Sequence, residues 1–212
     1  MLYQEAQFAA FQLLQCIAGS SVQGALLLTR QSPAIAGITR VLRATNLSLL
    51  VREQAASTIK TIAISCPEAR LYLYNRGVMA VLCIFIEECI SGVIAGTPLQ
   101  PQLPLLRGAT AATLALCQGM DAANRTYLRE LMRSMTLICT ISLDFSSTCD
   151  AITVISLLVS SVGASCKTEG FLSTMHMFEA LFTSVAMNLE VIYFIVYCNS
   201  FACLNFIFFF NM

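Results

Sequence analysis

Charge is scarce in this chain. Lys, Arg, Asp and Glu make up 11 % of its 212 residues, against about 25 % in an average soluble domain. Twelve cations balance twelve acids, so no basic patch argues for nucleic acid and no acidic run argues for a disordered tail. Histidine occurs once, at His176. Zinc needs clustered His and Cys ligands, and none are clustered here. No thiol is spaced to pair with that imidazole as a nucleophile, so a histidine packed on a helix is expected. A phosphate-binding loop is missing as well: Gly92-Val-Ile-Ala-Gly96 has neither a G-K-[ST] continuation nor a preceding strand pattern. Glu87 and Glu88 are adjacent, and adjacent helical residues point apart. They read as the wet end of a helix, not as an acid–base pair. No catalytic residue, cofactor or metal is expected.

The ten cysteines include no C-x-x-C pair. They are dispersed, mostly inside apolar runs, where free cysteine packs as a small hydrophobe. Reduced, buried thiols imply a cytoplasmic chain, with the nucleus as an alternative. In that setting the Asn124-Arg125-Thr126 glycosylation match carries no weight. The start, MLYQEAQFAAF, lacks a basic leader and an uninterrupted apolar stretch, so no signal peptide is read there.

What the chain has in quantity is apolar surface, 57 % of residues, and that surface recurs. In Arg52–Ala63, Ala55, Ala56, Ile59, Ile62 and Ala63 stand at helical spacing. Pro67 ends the run. A second helix is expected over Glu68–Arg76, closed by Gly77 in a left-handed conformation, and a third, apolar one over Val78–Glu88. Shifted back by 45 residues, Ala10, Leu14, Ile17 and Ala18 fall on Ala55, Ile59, Ile62 and Ala63. Shifted forward by 55, Ala111, Leu114 and Cys117 fall on Ala56, Ile59 and Ile62. The extra ten residues fit a loop insertion at Gly92–Pro104, which holds three prolines. A forward shift of 96 adds Ala151, Ile155, Leu158 and Val159. Each unit is too small to bury its own apolar face, and stacking neighbours supplies the core.

The order of elements in Val51–Glu88 resembles the armadillo repeat: a first helix ending in glycine, an apolar second helix and an alanine-patterned third helix. Tyr3–Glu190 is covered by the resemblance, with HEAT-type helix pairs as the alternative. It implies an all-α, right-handed α-solenoid of about four armadillo-like or HEAT-like repeats. Residues 1–190 form the array, with incomplete first and last repeats, and residues 191–212 form an apolar, non-repeat tail. In the family, third helices line a groove that grips an extended peptide through tryptophans and asparagines. Here the tryptophan positions hold Gln12, Ser57, Ala112 and Thr153. The asparagine positions hold Cys16, Thr61, Leu116 and Leu157. The usual ladder is therefore absent.

The resemblance implies a non-enzymatic protein-interaction or scaffold module with an unidentified protein partner, and neither nucleic acid nor a small-molecule substrate. The partner-binding residues read from the third-helix stripe are Arg52, Ser57, Thr61 and Ser65, taken as outward positions. The array opens on a third helix, Tyr3–Ala18, so its face of Phe8, Phe11 and Leu14 is expected to lack a neighbour on one side. That reads as a fragment or short form of a longer repeat protein. Tail 191–212 is long enough to span a bilayer; a buried terminal helix and a tail without an evolved role are the other readings. The rival class is an integral or tail-anchored membrane protein, with Val78–Gly96, Met135–Ile141, Ala151–Cys166 and Val191–Phe210 as apolar runs. The Ala-x-x-x-Ile-x-x-Ile pattern is unexplained by lipid.

Overall fold

The structure, a computed structural model, describes residues 2–98, 100–118, 128–141 and 144–163. It is all-helical, with no strand among these residues. By contact the chain divides into two units, residues 1–120 and 121–212. The first holds α1 (Leu2–Ser20), α2 (Val22–Arg30), α3 (Ser32–Arg43), α4 (Leu49–Ser65), α5 (Pro67–Asn75), α6 (Val78–Ile94) and α7 (Leu103–Cys117). The second holds α8 (Leu128–Ile141) and α9 (Phe145–Gly163), which pack on each other. The expected boundary at 190/191, the tail 191–212, His176 and Asn124 lie outside the described residues.

Local chemistry sets most of the boundaries. The Ser21 hydroxyl accepts from Gly24 N at 3.0 Å at the start of α2, and the Ser48 hydroxyl accepts from Val51 N at 3.4 Å at the start of α4. Such caps satisfy a backbone donor that the helix itself leaves orphaned. Pro33, Pro67 and Pro104 occupy the first turns of α3, α5 and α7, where proline's missing N–H costs nothing. Gly77, at φ 72°, turns the chain between α5 and α6, and those two helices bend by 74°. The glycine there is needed because a Cβ disfavours the left-handed region.

Two expected boundaries move. Helix α6 does not stop at Glu88. It runs to Ile94, because Cys89 and Ile90 are still buried and extend its apolar face. The break falls instead at Gly96, φ 94°. The loop expected over Gly92–Pro104 accordingly shrinks to residues 95–102, which include a short 3-10 turn at Gln100–Gln102.

Within the first unit the helices stack in rows. Helix α4 lies between α1 and α7, α2 packs on α5, and α3 packs on α6. Every row joins elements about one sequence period apart, so the self-similarity of the sequence is also a packing pattern. Ile59, Ile62, Leu73, Leu82, Phe85 and Leu105 are almost wholly buried between the rows. Each contributes about 1.5–3 kcal/mol by leaving water.

Candidate interaction surface

The central row, α1–α4–α7, decides what the first unit presents to solvent. Helix α4 is held on both flanks. Towards α1, Gln15 Nε2 donates to Gln54 O at 3.1 Å, Gln54 Oε1 at 2.9 Å and Thr58 Oγ1 at 3.3 Å. Towards α7, Gly108 comes so close that a Cβ there would meet the Ala56 Cβ at 3.6 Å. Between these flanks runs a solvent-facing stripe: Leu50, Glu53, Ser57, Lys60 and Ile64. Leu50 and Ile64 are each 54 % exposed, so the stripe has two apolar ends and a polar middle.

A shift of 54 residues carries this stripe onto α7, where Pro104, Arg107, Ala111, Leu114 and Gln118 are likewise exposed or half-buried. The buried residues coincide too: Val51, Ala55 and Ile59 fall on Leu105, Ala109 and Thr113. A 55-residue offset, expected from the sequence, places the ladder positions Ala112 and Leu116 in the core. The burial pattern along the helix puts the register one residue lower, at the half-buried Ala111 and at Ala115, which is itself buried. Alanine-rich helices tolerate a one-residue slip in a sequence comparison because several neighbouring positions are small. Of the other ladder positions, Gln12, Cys16 and Thr153 are exposed, and Leu157 is half-buried.

The four residues read from the sequence as outward do not share one environment. Arg52 is buried, with 7 % of its surface exposed. Its Nε and Nη2 donate to Leu42 O at 3.0 and 2.7 Å, and its Nη2 pairs with Glu88 Oε2 at 3.4 Å. It therefore ties α4 to the end of α3 and to α6, and is not an outward position. A charged group is tolerated inside because its donors are satisfied and Glu88 is half exposed to solvent. Ser57, Thr61 and Ser65 are half-buried. Thr61 Oγ1 donates to Ser57 O at 2.9 Å. The exposed Leu50, Lys60 and Ile64 were missed. Their signal was the 50, 53, 57, 60, 64 spacing, which runs one step around the helix from the chosen residues.

A second arginine fastens the far ends of the row. Arg70 Nε donates to Ala63 O and its Nη1 to Gln118 O, both at 2.6 Å. Ala63 is in the last turn of α4 and Gln118 directly follows α7, where carbonyls lack partners within the helix itself. Glu53, on the stripe, has its carboxyl raised above the usual range by partial burial.

No group of three or more His, Cys, Asp or Glu capable of holding a metal occurs among the described residues. Seven cysteines fall among the described residues, and all but Cys16 are buried. Burial raises Cys117 to about 12, with Cys83 adding to the shift, and Cys139 to about 12, with Cys149 adding. Cys89 rises to about 11 by burial; Arg52 draws it down and Glu88 pushes it up. Tyr74 is buried and Tyr72 carries the Arg76 guanidinium 5.1 Å from its ring centre. Among the described residues no single helix is long and apolar enough to cross a membrane; α5 and α6 pass that test only together, as a bent pair.

The class these observations define is an all-helical protein whose successive helices stack in rows and whose central row leaves a patterned stripe open. Comparison with family models, curated proteins and solved structures returned no match.

Proposed function

We propose that the chain is a non-enzymatic interaction module of the α-solenoid class, with armadillo-like repeats of about 45–54 residues and a right-handed superhelix. The observation that carries this reading is the pair of in-register stripes on α4 and α7, each of exposed and half-buried residues. Adjacent helices that repeat one exposure pattern present a surface in steps, as repeat proteins do when they bind extended partners. The partner is a protein segment with apolar side chains that seat against Leu50 and Ile64, and polar groups facing Ser57 and Lys60. Large apolar contacts anchor such interfaces, and the intervening polar groups set register.

Site-specific photo-crosslinking tests the reading. A photoreactive residue at Ser57 or Ala111 should capture the same partner. The same group at the exposed Leu71 of α5 or Ile84 of α6 should not. Leu50→Asp combined with Ile64→Asp should abolish the capture without loss of helicity, since both side chains already face solvent. Equal labelling from all four positions would remove the stripe as the binding surface.

A further inference from the structure

We draw no further inference here: the strongest candidate, the exposed apolar side chains of Leu27 on α2 and Leu71 on α5, two helices that pack on each other, is an unpartnered face, and nothing in the structure shows what covers it.

Discussion

The Arg52 guanidinium lies 4.4 Å from the centre of the Phe85 ring. One residue of α4 thereby engages three groups on two other helices: the face of the Phe85 ring and the Glu88 carboxylate on α6, and the Leu42 carbonyl in the last turn of α3. Arg52→Met keeps much of the side-chain volume but leaves Leu42 O without its two donors. A loss of about 2–4 kcal/mol in unfolding free energy is expected, read by urea titration. Glu88→Gln should cost under about 1 kcal/mol, because the acid is half exposed and the pair is screened. A larger effect at Glu88 than at Arg52 would show that the ion pair, and not the carbonyl contact, is the main tie.

Gly24 and Gly37 should respond to alanine in opposite directions. A Cβ on Gly24 would collide with Ile17 O. The obstacle is backbone, so α2 must move away from α1. Gly24→Ala should therefore destabilise by about 3 kcal/mol or more, beyond ordinary overpacking. At Gly37, inside α3, a Cβ meets nothing within 4 Å. Gly37→Ala should stabilise by about 0.5–1 kcal/mol, the ordinary helix-propensity gain. Thermal melts of the two variants, run side by side, decide both.

Alkaline pH should unfold the protein early. Cys89, Cys117 and Cys139 sit at about 11, about 12 and about 12 when folded, against 9.0 for an ordinary thiol. The folded state holds these protons more tightly than the unfolded chain does. Their stabilising share is complete below pH about 9 and is lost as pH climbs towards about 12. A denaturant midpoint that stays level from pH 8 to 11 would contradict this. In the same range, Cys16 should alkylate at least about a hundredfold faster than Cys117 or Cys139, since reaction needs an accessible thiolate. Peptide mapping after a short maleimide pulse gives the ratio.

Glu53 should be mildly unfavourable at neutral pH. Burial raises its folded value, so folding favours the protonated acid. The penalty is absent below the ordinary carboxylate range and appears as pH rises. Glu53→Gln should raise the melting temperature at pH 7 and change it little near pH 3. An effect of equal size at both pH values would point to packing in place of charge.

The helical character of Arg52–Ala63, the proline stop at Pro67 and the left-handed Gly77 were all readable beforehand, because each depends on residues within one or two turns. Arg52 itself was not. An arginine in a mixed stripe looks like surface, and only the Leu42 carbonyl and the Phe85 ring, on helices distant in sequence, make it an interior group. Of the stripe on α4 only the half-buried Ser57 was read from the sequence; the exposed Leu50, Lys60 and Ile64 on the same line were missed. Periodicity identifies an apolar face but does not say which edge of that face a neighbour covers.

The linear order of residues determined the helices, their caps and their recurrence at roughly 45–54 residues, since those follow from apolar spacing and from short-range hydrogen bonding at helix ends. Tertiary packing decided which turns of each helix are covered. Helix α4 is flanked on two sides and α1 on one, so nearly the same register gives Thr58 a buried site and leaves Leu13 in solvent. Burial depends on the neighbour, and the neighbour is set by how the rows stack.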